Sequence, residues 1–459
     1  MDFPGKGLEL TKKRTEIKRR NQTTKFTVTT LGCKVNQYES AAIAEQLNNS
    51  GYRQVRHEQT ADACIVNTCT VTQKASMQSR QAVRKAMRSN PGARIIVTGC
   101  YAQTEPDAIK KIKGVHHIIG HADKHKIPEI ILSSDENVQH PVTIIKRNIF
   151  LEHDFKSSPT TVFGNRTRPF LKIQDGCDSH CTYCIVPYAR GPSRSMPFES
   201  VLKHIQQLKQ AGYHEVVLSG IHLGAYGTDL PHKTDLFSLL NRIHELRGID
   251  RVRLSSIEPL ELKDDIIKLV SETDMFCKHF HIPMQSGDDD VLKKMRRPYT
   301  RSFFRDLINK INKRLPDAAI GVDTLIGFPG ETENAFANTY SLVEDLPVTY
   351  LHVFPFSSRG KTPADKLSGK VSSTVIKKRC QKMHQLGNIK KRIFYKKIVG
   401  QKVDVLIEDK REKSTGHLKG LTSNYIPVHV PCDDKYKNAL VQVRIDRLNS
   451  NNTVFGTLC

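Results

Sequence analysis

Between residues 170 and 354 the sequence carries six short apolar runs: Phe170–Gln174, Glu215–Ser219, Arg251–Ser255, His279–Pro283, Ala319–Ile326 and Tyr350–Phe354. Helical periodicity fills the gaps, for example over Pro197–Ala211, Asp235–Leu246, Leu260–Ser271 and Thr332–Glu344. Strands that alternate with helices pair in parallel and need both faces covered. A complete α/β barrel takes eight such units, so six predict a curved, incomplete (β/α)6 barrel.

The same alternation, shorter, precedes it. Lys25–Leu31, Ala63–Asn67 and Arg94–Thr98 read as strands, and Gln37–Asn49 and Lys74–Ser89 as helices. That order predicts a separate parallel α/β domain. After Ile398 the composition turns β-branched and turn-rich ("KVDVLIED", "YIPVHVP", "ALVQVRIDRL"), which predicts a small antiparallel β-barrel. The expected organisation is α/β throughout the first two domains: a basic arm (1–24), an N-terminal domain (25–145), a linker (146–165), a barrel with a basic extension (166–397) and the terminal β-barrel (398–459).

The chain has 71 Lys and Arg against 47 Asp and Glu, a net charge of +24. That surplus points to a polyanionic partner, nucleic acid ahead of a membrane surface. The charge is concentrated at 366–397, which holds eleven Lys or Arg and no acid, whereas the terminal barrel holds nine against seven. No apolar run is long enough to span a bilayer, and the N-terminus lacks the apolar core of a secretory signal. Eleven cysteines, an odd number, fit a reducing cytoplasm and metal-binding or catalytic thiols better than disulfides.

Three of those cysteines form C-x3-C-x2-C in "GCDSHCTYC": Cys177, Cys181 and Cys184. The loop follows the first barrel strand, at the edge where α/β folds collect their sites. Zinc would want a fourth ligand, and His180 abuts Cys181, a poor position from which to chelate the same ion. An iron–sulfur cluster held by three thiolates keeps one iron open to a small molecule, and this reading is favoured. A second set is dispersed: Cys33, Cys69 and Cys100 each fall just beyond a strand of the N-terminal domain. Loops at the carboxyl ends of parallel strands point the same way, so these thiols are expected to converge on a second metal site. Cys64 lies within a strand and reads as core, while Cys277, Cys380, Cys432 and Cys459 show no site-like spacing.

C-x3-C-x2-C at the end of the first strand of a partial barrel resembles the radical S-adenosylmethionine (SAM) superfamily. With "LGCKVNQYES", "NTCTVT", "GCYAQ" and "LHVFPFSSRGKTPA" the resemblance narrows to the methylthiotransferases, and within them to the branch acting on N6-threonylcarbamoyladenosine at tRNA position 37. Asp178, Pro192, Met196 and Phe356 depart from the pattern usual there. The resemblance implies two 4Fe–4S clusters, SAM, an RNA-binding TRAM domain at the C-terminus, a flavodoxin- or ferredoxin-like electron donor and a sulfur source. It implies a reaction in which hydrogen is removed from C2 of the adenine, sulfur arrives from the N-terminal cluster and a second SAM gives the methyl group. By the same resemblance SAM contacts are expected at Ser219, Gly220, His222, Ser256, Glu258, Gln285 and Asp323. The tRNA backbone is expected along the basic stretch, at Lys377, Lys378, Arg379, Lys390, Lys391 and Arg392. Arg190 and Arg194 could face substrate phosphate or pair with local acids. The rival readings are the same chemistry on isopentenyl-adenosine tRNA or a ribosomal protein, and a non-catalytic RNA-binding protein stapled by metal.

Overall fold

The computed structural model describes residues 24–56, 58–133, 142–156, 159–164, 166–232 and 234–459. The expected basic arm falls almost wholly outside them. The chain divides into two compact units, one of residues 1–70, 74–148 and 156–160 and the other of residues 71–73, 149–155 and 161–459.

The first unit is built on six parallel strands: β1 (Lys25–Thr30), β2 (Arg53–Gln54), β3 (Ala63–Thr68), β4 (Arg94–Gly99), β5 (His117–Ile119) and β6 (Thr143–Ile145). Their spatial order is β2-β1-β3-β4-β5-β6. The three longest were legible in the sequence. The other three have two or three residues each, too few to show a period. Strand β3 is buried along its whole length, as a parallel strand covered on both faces must be. Its side chains alternate between two cores. Ile65 packs with Phe26, Leu47 and Ile96 on one side, and Cys64 and Val66 pack with Val83, Ile95 and Val97 on the other. Cys64 is thus a core residue.

The second unit contains the barrel strands β7 (Phe170–Lys172), β10 (Glu215–Ser219), β11 (Arg251–Leu254), β12 (His279–Gln285), β13 (Ala319–Ile326) and β14 (Tyr350–Pro355), all parallel. Hydrogen bonds from Val252 N to Met275 O and from Cys277 N to Val252 O join β11 to the approach of β12. Two-residue strands β8 (Gln174–Asp175) and β9 (Arg194–Ser195) pair antiparallel and close the base of the cysteine loop. Helix Ser373–Lys396 packs on β14, where Gly387 meets Leu351. Five strands, β15 (Lys402–Arg411), β16 (Leu418–Thr422), β17 (Pro427–Val430), β18 (Leu440–Leu448) and β19 (Val454–Leu458), then form the closed barrel expected after Ile398, antiparallel except where β17 pairs parallel with β19. Its interior is filled by Val405, Ile407, Leu418, Val428, Val443, Ile445 and Val454.

Buried arginines fasten this small barrel to the larger one. Arg253 reaches the carbonyls of Thr422 and Ser423 while its guanidinium pairs with Glu215, at 2.7 Å. Arg251 reaches the carbonyls of Asp404 and Leu421. Burial pushes the Glu215 carboxyl up, but Arg253, Arg168 and Arg251 outweigh it and hold the group below its ordinary value.

Candidate active site

In the first unit Cys69 and Cys100 stand immediately beyond the neighbouring strands β3 and β4, and Cys33 three residues beyond β1. The parallel register places Thr68 opposite Gly99, so Cys69 and Cys100 follow paired positions. A side-chain lattice holds the three turns. Asn36 donates to the carbonyls of Leu31 and Thr68, Asn67 to that of Asn36, and the Thr68 hydroxyl to Thr98 O. Two glycines make the approach possible. Gly32 (φ +93°) and Gly99 (φ +97°) immediately precede Cys33 and Cys100 in backbone that other residues rarely adopt. Cys33 is exposed, Cys69 and Cys100 are buried, and His121 Nε2 lies 3.4 Å from Cys100 Sγ.

In the second unit the loop 176–184 begins at Gly176 (φ +73°), where a β-carbon would strike Pro192 O at 1.8 Å. The thiols are crowded. Burial pushes Cys184 up to about 12, with the neighbouring Cys181 and Cys177 adding to the effect. Burial also raises Cys177, but His222, with Nδ1 at 3.5 Å, more than offsets this and leaves the thiol below its ordinary value. Burial lowers His222, yet its bonds to Cys177 and Glu261 carry it up to about 10. Arg297 donates to Cys181 Sγ at 3.4 Å and to Glu258, and Val186 N donates to Cys184 Sγ at 3.4 Å. A partly buried set of thiols with cationic and N–H donors beside it suits an anionic sulfur-ligated centre. The buried Ser255 hydroxyl and Glu261 Oε2, without hydrogen-bond partners among the described residues, leave polar capacity for a bound cofactor.

Gln174 ties the cysteine loop to the turn after β10. Its amide nitrogen donates to Asp175 O, Gly176 O and Ser193 Oγ, and its oxygen accepts from His222 N at 2.7 Å. Gly220 is needed there, since a β-carbon would lie 2.8 Å from Gln174 Oε1. Of the expected SAM contacts, His222 touches Cys177, and Glu258 joins Cys181 through Arg297. Ser219 is buried with its hydroxyl turned back to Val217 O, Ser256 is exposed, and Gln285 ends β12 at φ +62°. Asp323 is a correction. It sits inside β13 rather than at its end, and its carboxylate is taken by His281 and His352. Arg190 and Arg194 are both buried. Arg190 pairs with Asp175 at 2.7 Å and Arg194 with the same carboxylate at 3.7 Å, so the pairing alternative holds for both.

Sequence reasoning missed Gln174, Glu261 and Arg297. Arg297 lies 113 residues beyond the last cysteine of the loop (297 − 184), and nothing local marks it.

The basic helix divides by orientation. Lys377 and Lys378 are exposed. Arg379 is a correction: it is buried, paired with Glu331 at 2.6 Å and Glu333 at 2.9 Å, and laid over Phe336. Lys390 caps the carbonyls of Glu344 and Leu346, Lys391 lies over Tyr395, and Arg392 holds Asn449 O in the terminal barrel. All three are half-buried, and each keeps a contact within the fold.

Residues 25–120 match the family described as "Uncharacterized protein family UPF0004", 171–343 the radical SAM superfamily and 396–459 the TRAM domain. The threonylcarbamoyladenosine tRNA methylthiotransferase MtaB of Bacillus subtilis (strain 168) is 39% identical over 418 residues, 91% of this chain and 92% of the relative. The chain belongs to the radical SAM methylthiotransferase family. This methylthiotransferase is therefore an enzyme, with the two 4Fe–4S clusters and SAM of its family. It is also 33% identical to the tRNA-2-methylthio-N(6)-dimethylallyladenosine synthase of Clostridium perfringens, covering 92% of this chain and 95% of that one. Among solved structures, the radical SAM methyltransferase TsrM of Kitasatospora setae superposes with a TM-score of 0.56 at 13% identity, over 75% of each chain, which shows a shared fold. Among the described residues no helix is long and apolar enough to cross a membrane.

Proposed function

We propose that this methylthiotransferase converts N6-threonylcarbamoyladenosine at tRNA position 37 to its 2-methylthio derivative. The reading rests on one observation: two separate sets of three cysteines, each following the carboxyl ends of parallel strands, in a chain most of which aligns at 39% identity with a protein named for this nucleoside. A SAM-ligated 4Fe–4S cluster, when bound, supplies one-electron cleavage of the sulfonium and hence a radical able to take hydrogen from an unactivated carbon. Cys177, Cys181 and Cys184 would hold that cluster, and Cys33, Cys69 and Cys100 the second. Around the first, Arg297 braces both Cys181 and Glu258, while Gln174 keeps the cysteine loop in register with the turn bearing His222. Each side chain thus positions a ligand rather than reacting. A flavodoxin- or ferredoxin-like donor and a diffusible sulfur source complete the reaction, in the cytoplasm where tRNA is modified. The TRAM barrel and the exposed lysines of the preceding helix would carry the tRNA backbone.

The dimethylallyladenosine relative supports a second reading, the same chemistry on isopentenyl-adenosine. The reconstituted enzyme, with SAM, a reductant and sulfide, is offered two tRNAs that differ only in the substituent on adenosine 37. Mass spectrometry of the nucleosides should show the methylthio product on the threonylcarbamoyl tRNA alone. Product on the isopentenyl tRNA alone would overturn the assignment. Cys177→Ala and Cys33→Ala should each remove about half of the iron.

A further inference from the structure

One face of the sheet β12–β13–β14 carries a cluster that the reaction above does not use. Asp323 and His352 are register partners on adjacent strands, and His281 reaches them from the level of Gly321. His281 Nε2 lies 2.7 Å and His352 Nδ1 3.2 Å from the same oxygen, Asp323 Oδ1. One ligand atom from each residue lies within 4.8 Å of the others. A tetrahedral ion with bonds of about 2.0–2.1 Å spaces its ligands about 3.3 Å apart, so small side-chain rotations suffice to seat one.

The surroundings are built for it. The second nitrogen of His281, Nδ1, lies 3.3 Å from Tyr350 Oη, the kind of outer anchor that fixes a ligating imidazole. Tyr350 Oη is held in turn by His279 Nε2 at 2.7 Å. The phenol can lie there only because residue 321 is glycine. A β-carbon at Gly321 would meet Tyr350 Cζ at 2.1 Å and Oη at 2.3 Å. Among the described residues no Lys or Arg pairs with Asp323. His281 is nearly buried, whereas the His352 side chain is 51% exposed, which leaves an entry path.

We propose that His281, Asp323 and His352 form a binding site for one first-row divalent metal ion, zinc foremost, separate from the six cluster thiols. Two imidazoles and one carboxylate suit zinc, with iron(II) and cobalt(II) behind it, and leave at least one coordination position for water or an oxygen ligand. The site stands whichever nucleoside is the substrate, because its test reads metal rather than product.

Zinc chloride is added to the full-length, cluster-loaded protein under anaerobic conditions, and zinc and iron are counted after gel filtration. The expected result is one zinc per chain, with a nitrogen and oxygen shell at about 2.0–2.1 Å by X-ray absorption. His352→Ala and Asp323→Asn should each lower zinc at least tenfold while iron is unchanged. His352 is half exposed, so its removal leaves the fold in place, and the iron count verifies this. The proposal is overturned if no zinc is retained, if both variants keep it, or if the shell contains sulfur at about 2.3 Å, which would put the ion on the thiols.

Discussion

A β-carbon on Gly32 would lie 2.8 Å from Cβ and 2.9 Å from Sγ of Cys69. The bare α-carbon is what lets the turn bearing Cys33 close over its neighbour. The arrangement recurs with different partners. At Gly99 the obstacle is the backbone of Thr68, with its oxygen at 2.4 Å, and at Gly176 it is Pro192 O at 1.8 Å. Three of the six cysteines proposed as cluster ligands therefore follow a glycine at positive φ that nothing larger can replace without moving a neighbouring segment.

Gly32→Ala should for this reason act on metal content before it acts on folding. The added methyl pushes Cys69 away from Cys33, and iron should fall from about eight to about four atoms per chain after anaerobic reconstitution. Far-UV circular dichroism should stay the same. Full iron content in this variant would contradict the account of the close approach.

Arg297 joins Cys181, Glu258 and the Tyr299 hydroxyl from a nearly buried position. Arg297→Leu strands the Glu258 carboxylate. Breaking a buried pair costs about 3–5 kcal/mol, and the partial exposure of Glu258 reduces this to about 2–3 kcal/mol. Thermal unfolding against wild type at one pH measures the loss. Arg297→Lys keeps the charge but not the planar fork and should recover only part of it.

On the basic helix, exposure separates two effects that composition merges. Lys377→Glu with Lys378→Glu should weaken tRNA binding and flatten its dependence on salt, by about one unit of logarithmic slope for each phosphate no longer neutralised. Stability should be unaffected. Arg379→Glu should do the reverse, costing about 3 kcal/mol by placing a carboxylate against Glu331. Filter binding at several salt concentrations, together with melting curves, tells the two apart.

His117 on β5 gives the first unit a pH dependence. Burial, with Arg94 and His116 adding to it, lowers the imidazole to about 4. The unfolded chain takes up a proton as pH falls through about 6.5 and the folded chain does not until about 4, so stability is full above that window and declines within it. Between pH 7 and pH 5 wild type should lose about 1–2 kcal/mol more than His117→Asn, as read from denaturant midpoints. Parallel losses in the two proteins would remove His117 from the account.

The architecture and the places of the six cysteines along it were legible because both are local signals. Parallel strands print their apolar runs in order, and a thiol within a few residues of such a run's carboxyl end inherits its direction from the sheet. The glycine before three of those thiols is equally local. What the chain order could not decide was which side chains meet across it. Gln174 with His222, Arg297 with Cys181, and Tyr350 over Gly321 are joined by strand register and loop closure, at separations no periodicity reports. The sign of a residue's role was likewise settled in three dimensions. Arg379 reads as one more cation in a basic run, but helix rotation turns it onto Glu331 while Lys377 and Lys378 stay in water. Asp323 reads as a strand-end ligand, yet register sets it between two histidines in the strand's interior. Sequence alone determines which groups exist and which edge of the sheet they serve. Burial and partner, which set charge and reach, belong to the folded chain because they depend on contacts between distant segments.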